Sequence, residues 1–308
     1  TLTEKGLDNR FCTAGWWKPQ IQPIQSSQDL KLDYSPRKQQ IHSLLYQAME
    51  LLTESIVAFS QTAEEGILHR HRWVRHILNQ VDFFLSPSCF LRDFFIQNGL
   101  SSEKIAYLDN GFPPTLSPSN RVSALPLRFG YIGTWIPSKG VDIAIQAFQS
   151  IDPREARLIV HGFFPGYDGF ENYESYLRSL SGTSVEWRGR YQPDQIDSLL
   201  SDLDALIMPS IWWENSPLTI HEAFLSGVPV ITADVGGMAE LVRNGGGLTF
   251  QHRNRDSLRN VIRTLIRKPS ILNELRKTIP PVQSMQGYVD RLMDLYRHWI
   301  NRSKVEEK

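Results

Sequence analysis

The chain has 308 residues and a mass of 35.4 kDa, enough for about two domains of roughly 100–200 residues each. This length excludes a small scaffold stapled by disulfides or metals. Hydrophobic residues make up 41% and charged residues 21%, which is ordinary for a globular protein and argues against wholesale disorder. Lys and Arg together number 33, as do Asp and Glu, so the composition gives no sign of nucleic-acid binding.

The charge is unevenly distributed along the chain. Residues 251–308 hold 13 Lys and Arg against 6 Asp and Glu, a surplus of +7 that leaves −7 for residues 1–250. This basic region could touch anionic lipid or substrate, although a solvated helix face is the simpler interpretation. The two cysteines, Cys12 and Cys89, lack metal-ligand spacing and suit a reducing compartment. Because no apolar run reaches about 18–20 residues and no signal-peptide pattern is present, we expect a cytoplasmic protein, with peripheral contact at the inner face of the membrane left open.

The first part of the chain predicts mainly helices. Helical periodicity covers Pro36–Phe59 and Glu64–Asn79, and the strands V-D-F-F-L and K-I-A-Y-L flank a helix over Phe90–Asn98. Two strand-bearing units are too few for an independent Rossmann-like sheet. The segment Thr115–Pro126 is rich in Ser and Pro and predicts a linker, so we place the domain boundary after residue 124.

From Leu127 onward, short apolar runs alternate with amphipathic stretches. This βαβα alternation predicts a doubly wound parallel sheet. The predicted strands are L-R-F-G-Y-I-G, A-R-L-I-V-H, S-V-E-W-R, D-A-L-I-M-P-S and V-P-V-I-T-A, and the predicted helices are V-D-I-A-I-Q-A-F, Tyr173–Leu180, Asp194–Leu200, Pro217–Ser226 and Met238–Val242. A last helix over Ser284–Asn301 has one apolar face, which we expect to pack on another domain. That face consists of Tyr288, Leu292, Leu295, Tyr296 and Trp299.

The segment Ser210–Ser226 is the most informative stretch. It follows the strand D-A-L-I-M-P and therefore lies at the carboxyl edge of the sheet, where such sheets bind ligands. Ser216 suits the N-cap and Pro217 the first helical position, which places Leu218 and Thr219 in the first turn. Free N–H groups and the positive end of the helix dipole at this terminus favour a phosphate.

Two acids, Glu214 and Glu222, bracket this helix start. They would repel a phosphate, but they suit sugar hydroxyls on either side of a diphosphate. Without that context, Glu214 is an ordinary loop acid and Glu222 an acid on a helix face, because paired acids are common.

Three further loops fall at the same edge of the predicted sheet. The segment Gly133–Gly140, G-T-W-I-P-S-K-G, offers Lys139 as a point charge for a phosphate, but it matches neither G-x-G-x-x-G nor the P-loop, so a surface lysine remains an alternative. Gly236 and Gly237 permit a close approach of the backbone or form a plain turn. Arg190 follows a strand and is suited either to a nucleobase or to solvent. The convergence of four loops predicts a ligand site.

These motifs carry a family resemblance. E-N-S-P-L-T-I-H-E resembles the E-x7-E motif of the family 4 retaining glycosyltransferases, and the order G-x-x-x-x-x-K-G, E-x7-E-A-F-x-x-G-x-P-V-I and G-G-x-x-E-L-V is similar to their donor domain over about Leu127–Phe250. V-D-F-F-L-S-P-S and D-N-G-F resemble the end of the acceptor domain and the hinge. The resemblance implies an α/β GT-B fold, with two Rossmann-like domains facing a cleft.

The resemblance also implies a division of the chain. Residues 1–124 would form a partial acceptor-side domain, residues 125–283 the nucleotide-sugar donor domain, and residues 284–308 a helix that returns to the first domain. The Gly-rich loop and the catalytic-region His typical of the family's start cannot be located. We therefore expect the chain to lack the opening strands of the acceptor-side domain.

Site roles follow from the same resemblance. Glu214 would hold hydroxyls of the donor sugar, Glu222 the ribose hydroxyls and Lys139 the diphosphate. Backbone amides at Ser216, Leu218 and Thr219 would complete the phosphate cradle beside Pro217 and the glycine pair, Gly236 and Gly237.

The chain departs from the family at one position of this cradle. The residue after Gly133 is often Arg in the family but is Thr134 here. A hydroxyl donates a hydrogen bond but cannot neutralise charge, so the remaining cations, with Arg190 as a candidate, must do more.

The expected activity is transfer of a hexosyl unit, with retention and without a metal or cofactor, from a nucleotide diphosphate sugar to a glycan or lipid-linked acceptor. A UDP-sugar is the first choice of donor. Two alternatives remain: a nucleotide-sugar-binding module without transferase activity, and a GT-B epimerase or phosphorylase relative.

Overall fold

A computed structural model of the chain describes residues 63–113 and 123–306. The helix predicted over Pro36–Phe59 and most of the linker predicted over Thr115–Pro126 lie outside these ranges. The chain divides into two compact units between Asp82 and Phe83. The described part of the first unit is helix α1, Ala63–Gln80, where the sequence predicts a helix.

The second unit opens with a small parallel sheet. Strands β1, Phe84–Ser86, and β2, Ile105–Tyr107, pair in parallel, and helix α2, Cys89–Gln97, connects them. The helix begins after Ser88, whose hydroxyl accepts a hydrogen bond from the backbone N–H of Leu91 at 3.2 Å, as expected of an N-cap. The two strands and the helix are those that the sequence predicts.

A six-stranded parallel sheet forms the centre of the second unit. Its strands are β3, Leu127–Ile132; β4, Ala156–His161; β5, Val185–Gly189; β6, Ala205–Met208; β7, Val230–Ala233; and β8, Gly247–Phe250. The spatial order is β5-β4-β3-β6-β7-β8, so the chain runs outward in one direction from β3 and in the other from β6. The doubly wound sheet predicted from the βαβα alternation is therefore confirmed.

Helices follow the strands and cover the sheet. They are α3, Val141–Phe148; α4, Tyr173–Leu180; α5, Ile196–Ser201; α6, Leu218–Leu225; α7, Gly236–Arg243; α8, Arg255–Arg267; α9, Ser270–Lys277; and α10, Met285–Glu306. Strand β8 and helices α8 and α9 were not among the predicted elements. In the ranges that the structure describes, no helix combines the length and the apolar character needed to cross a membrane.

The core lies between the sheet and these helices. All four residues of β6 and all four of β7 are buried, as expected for central parallel strands covered on both faces. Phe129 on β3 meets Phe148 on α3 edge to face, with 5.6 Å between ring centroids. This contact packs α3 onto the central strand β3.

Helix α10 uses most of its predicted apolar face for packing. Trp299 packs against Phe83, with 4.5 Å between ring centroids, and a Cβ at Gly111 would lie 2.5 Å from Tyr288 Cβ. Both partners precede residue 124. Tyr296 is 55% exposed, so its assignment to the packed face was wrong; in a helix it projects to one side of the row formed by Tyr288, Leu292, Leu295 and Trp299.

A buried ion pair fixes α9 to the sheet. Asp204, just before β6, is completely buried, and its carboxylate accepts a hydrogen bond from the backbone N–H of Arg128 at 2.8 Å. Arg276 Nη2 lies 3.6 Å from the other carboxylate oxygen of Asp204, and the arginine side chain is only 14% exposed. The buried carboxylate of Asp204 is therefore paired with a cation from a helix that follows more than 60 residues later.

We expect Arg276→Met to lower the free energy of unfolding by about 3–5 kcal/mol, because it leaves a buried carboxylate without its cation. The matched control is Lys277→Met, which removes the neighbouring cation from an exposed pair with Glu274 and should cost less than about 1 kcal/mol. Urea denaturation of both variants measures the difference. Equal losses would contradict the role assigned to Arg276.

Candidate functional site

The site lies where the strand order reverses. Strands β3 and β6 are neighbours at the centre of the sheet, and the loops that follow them start from adjacent carboxyl ends, which is the usual ligand crevice of such sheets. A cavity of about 510 Å³ opens between these loops. Eight of the twelve predicted site residues line it, namely Gly133, Thr134, Lys139, Glu214, Ser216, Pro217, Leu218 and Thr219.

The two central loops interlock. The carbonyl oxygen of Ser138 accepts hydrogen bonds from the backbone N–H groups of Ile211 and Trp212 at 3.0 and 3.1 Å. Gly140 has φ +66°, and a Cβ there would overlap the carbonyl oxygen of Pro209. Only glycine combines this left-handed conformation with such a close approach. The loop carrying Lys139 is therefore fixed against the loop carrying Glu214.

Lys139 and Glu214 form an ion pair in the cavity. Lys139 Nζ lies 2.6 Å from Glu214 Oε1, with the side chains 35% and 15% exposed. Ser210 Oγ lies 3.0 Å from the same Oε1 and 3.0 Å from the carbonyl oxygen of Ser138, so its single hydrogen serves one of them at a time. Among the described residues that line the cavity, Lys139 is the only Lys or Arg.

The helix that points at the cavity begins one residue later than the sequence suggests. Helix α6 begins at Leu218, and Pro217 has extended backbone angles and is the residue before the first turn. The assignments of Ser216 as N-cap and of Pro217 as first helical residue are therefore corrected. The Ser216 hydroxyl does not cap the helix, because it bonds to Asp109 and His221 instead. The N–H groups of the first turn still face the site without a serine cap.

Asp109 and His221 contact the site, although the sequence pattern around them does not indicate it. Ser216 Oγ lies 2.8 Å from Asp109 Oδ1 and 2.7 Å from His221 Nε2. His221 is buried and stacks on Phe112, with 4.8 Å between ring centroids. The motif D-N-G-F, which contains Asp109, resembles only the hinge of the family, and a single histidine inside a helix gives no signal of its own.

Glu222 is a half-buried residue of α6 that lies near Tyr191 and does not line the cavity. Burial raises the pKa of the Glu222 carboxyl. Burial, and then the charge of Glu222, raises the pKa of the Tyr191 hydroxyl, and Tyr191 lines the cavity. Glu222 therefore neighbours an aromatic residue of the cavity wall, whereas Glu214 is itself part of that wall.

The glycine pair supports the Glu214 loop from behind. Gly237 N–H donates a hydrogen bond to the carbonyl oxygen of Glu214 at 2.7 Å, and a Cβ at Gly237 would overlap the carbonyl oxygen of Asn215. Gly236, with φ +66°, begins α7 beside the same backbone. Neither glycine lines the cavity.

Arg190 lies beside the cavity without lining it. Its guanidinium stacks over Phe163 with 3.7 Å to the ring centroid, and Phe163 is part of the cavity wall. Thr134 does line the cavity, and its carbonyl oxygen accepts a hydrogen bond from the Tyr131 hydroxyl at 2.7 Å. Arg190, the second cation expected from the sequence, is therefore separated from the cavity by the ring of Phe163 in this conformation.

A model of the glycosyl transferases group 1 family matches residues 118–280, more than half of the chain. The chain belongs to this family. An uncharacterized glycosyltransferase of Methanocaldococcus jannaschii is 29% identical over 207 residues, which cover 67% of this chain and 50% of that protein. The D-inositol 3-phosphate glycosyltransferase of Rhodococcus erythropolis is 27% identical over 179 residues, 54% of this chain and 40% of the relative. The chain thus spans half or less of the length of these relatives.

Solved structures show the same fold. Anabaena HepE in complex with UDP and glucose aligns with a TM-score of 0.63 and 22% identity, over 74% of this chain and 67% of that one. Sucrose-phosphate synthase from Thermosynechococcus elongatus aligns with a TM-score of 0.65 and 19% identity, over 80% and 65% of the two chains. The GT-B fold predicted from the motifs is confirmed.

We expect Glu222→Gln to raise the Tm of the unliganded protein at pH 7. The pKa of Glu222 is raised in the folded state. Between the ordinary glutamate pKa and this raised pKa, the folded protein therefore binds more protons than the unfolded chain. Stability falls over that window and stays lower above it. Thermal unfolding as a function of pH measures the effect.

The gain should disappear below the ordinary glutamate pKa, where both states are protonated. Glu274→Gln, on the exposed face of α9, is the control and should show no gain at pH 7. A difference between wild type and Glu222→Gln that does not change with pH would contradict the assignment to burial of the carboxylate.

Proposed function

We propose that the chain is a family 4 retaining glycosyltransferase that moves a hexosyl unit from a nucleotide diphosphate sugar to a glycan or lipid-linked acceptor. One observation carries the proposal: the cavity at the switch point joins an ammonium group, the first turn of a helix and a carboxylate. Lys139 and the α6 terminus suit a diphosphate, and Glu214 beside them suits sugar hydroxyls.

The ion pair is compatible with a bound diphosphate. An ammonium group has three N–H donors, and Glu214 uses one of those on Lys139. The others can reach phosphate oxygens while Glu214 accepts from a sugar hydroxyl. Glu222 lies near Tyr191 and does not line the cavity, and we assign it to the ribose hydroxyls, away from the phosphate.

The transfer step needs a stabilised leaving group above all. The bond between the anomeric carbon and the diphosphate breaks with its electron pair on the phosphate oxygen, the acceptor oxygen bonds to the anomeric carbon, and the acceptor proton passes to the departing diphosphate. Lys139 and the N–H groups at Leu218 and Thr219 would stabilise the growing negative charge. Arg190 would add a second charge by leaving Phe163.

We further propose chemistry without a metal ion or another cofactor, because the ammonium group of Lys139 and the first turn of α6, both in the cavity wall, suit the charge of the diphosphate. In the ranges that the structure describes, no group of three or more His, Cys, Asp or Glu side chains could hold a metal. Activity that persists in excess chelator is the expected result. Complete loss in chelator, restored by added Mg²⁺ or Mn²⁺, would overturn this part of the proposal.

UDP-sugars are the first donors to test, since HepE was solved with UDP and glucose. The relatives are named for different acceptors, and an O-antigen chain mannosyltransferase B of Escherichia coli is among them. A glycan or lipid-linked acceptor is consistent with these names. A cytoplasmic location, with the basic residues 251–308 near anionic lipid, belongs to the same proposal. So does the division into domains at residues 1–124, 125–283 and 284–308.

A thermal-shift panel of UDP-, GDP- and ADP-sugars tests the donor class. We expect one nucleotide series to raise Tm, UDP-sugars first, because a ligand present at about 100 Kd stabilises by ~2.7 kcal/mol. Donor hydrolysis and transfer assays on the same chain then separate a transferase from a binding module, which would show the shift without turnover. An absence of shift with all three nucleotides would overturn the proposed function.

We expect Lys139→Ala to reduce kcat by at least about two orders of magnitude, on the scale of losing one preorganised donor to a developing oxyanion. Steady-state kinetics with the best donor of the panel measure the loss. Lys277→Ala, which removes an exposed lysine of α9, is the control and should keep its activity. An unchanged kcat in Lys139→Ala would count decisively against the leaving-group role.

A further inference from the structure

A buried polar cluster connects the start of α6 to the segment that follows β2. Ser216 Oγ is within hydrogen-bond distance of both Asp109 Oδ1, at 2.8 Å, and His221 Nε2, at 2.7 Å. His221 Nε2 is also 3.5 Å from Asp109 Oδ1. The His221 side chain is 4% exposed and that of Asp109 14%. The cluster is thus largely shielded from water.

The hydrogens of this cluster can be assigned by counting donors. A carboxylate only accepts and a serine hydroxyl has one hydrogen, so Ser216 donates to Asp109. His221 Nε2 must then donate to Ser216 Oγ, which fixes the ring as the Nε2–H form. Burial lowers the pKa of His221, against an opposing effect of Asp109 that raises it, and this favours the neutral ring.

Asp109 belongs to a segment that is itself anchored. Phe112 N–H donates to the carbonyl oxygen of Gln283 at 2.9 Å, and Met285 N–H donates to the carbonyl oxygen of Phe112 at 2.8 Å. Phe112 also stacks on the His221 ring. The cluster therefore fixes Ser216 to a crossing of two chain segments, one after β2 and one before α10.

Ser216 is the only member of the cluster that lines the cavity. It lies two residues before the first turn of α6, and Pro217 between them limits the backbone further. The hydrogen bonds of its hydroxyl to Asp109 and His221 restrain the position of Ser216 in the cavity wall. No side chain caps this helix.

We propose that Asp109 and His221 are positioning residues that act through the Ser216 hydroxyl to hold the backbone N–H groups at the start of α6 toward the donor diphosphate. This inference rests on the proposed function, because it assigns the cluster to the same donor site. It does not make any of the three side chains a ligand of the donor: the serine hydroxyl is turned to the cluster, and the peptide backbone does the binding.

Titration calorimetry of the full chain with UDP tests the inference. We expect Ser216→Ala to bind UDP about tenfold more weakly than wild type. A tenfold loss of affinity corresponds to the free energy of roughly one hydrogen bond. His221→Phe keeps a ring against Phe112 but has no donor, and it should lose about as much. His221→Gln can place an amide N–H near the Nε2 position and should recover most of the affinity.

The control is Ser226→Ala at the other end of α6. Ser226 is fully buried and its hydroxyl donates to Asp197 at 3.3 Å, so the substitution removes a comparable hydrogen bond from the same helix away from the cavity. We expect unchanged UDP affinity even if Tm falls. The double variant Ser216→Ala, His221→Phe should bind no more weakly than either single variant, because both break the same chain of hydrogen bonds.

The outcomes separate the two proposals. If wild type binds none of UDP, GDP and ADP, the proposed function is overturned and the inference with it. The second case is that wild type binds UDP or, failing that, GDP or ADP. If Ser216→Ala and His221→Phe then bind that nucleotide as tightly as wild type does, the positioning role alone is overturned. It is also overturned if His221→Gln is no better than His221→Phe, or if Ser226→Ala weakens binding as much as Ser216→Ala.

Discussion

The site depends on the interlocking of two loops at the centre of a parallel sheet. Parallel pairing of β3 and β6 brings their carboxyl ends together, and the Ser138 carbonyl oxygen then joins the loops through two backbone hydrogen bonds. Because Gly140 allows the backbones to approach within contact distance, Lys139 and Glu214 can meet at 2.6 Å although 75 residues separate them. Removing this constraint would separate the ammonium group from the carboxylate and open the cavity.

The sequence could predict the parts of this arrangement that are local. Apolar runs followed by glycine or proline and then by an amphipathic stretch give the strand, loop and helix order, and the rule that parallel sheets bind ligands at one edge brings the loops together. Most of the predicted site residues accordingly line one cavity. Helix α8 could also be predicted from the sequence, since Asn254 caps it and Leu258, Ile262 and Leu265 repeat at helical spacing. Helix α9 has a single buried residue and therefore little hydrophobic periodicity.

Tertiary partners explain what the sequence could not predict. Ser216 has the composition and position of an N-cap, but its hydroxyl is taken by Asp109, more than 100 residues earlier, and by His221. A local rule assumes that the side chain is available to its own helix, and here it is not. Similarly, the glycine pair Gly236 and Gly237 is compatible with a ligand-binding loop and with close packing of two backbone segments. The contact with the backbone of Glu214 shows that these glycines serve close packing.

The arrangement of charge explains how two carboxylates can serve an anion site. An uncompensated Lys139 in a half-enclosed cavity would lose hydration without a partner, and Glu214 supplies that partner in the unliganded protein. When a diphosphate enters, the ammonium group gains a second anion while Glu214 is free to accept a hydrogen bond from a hydroxyl. The charge of Lys139 therefore offsets the repulsion between the diphosphate and the Glu214 carboxylate. Glu222 does not line the cavity, and its burial raises the pKa of its carboxyl. The formal neutrality of the whole chain thus conceals a site in which one carboxylate shares a cation with the expected phosphate and the other lies outside the cavity wall.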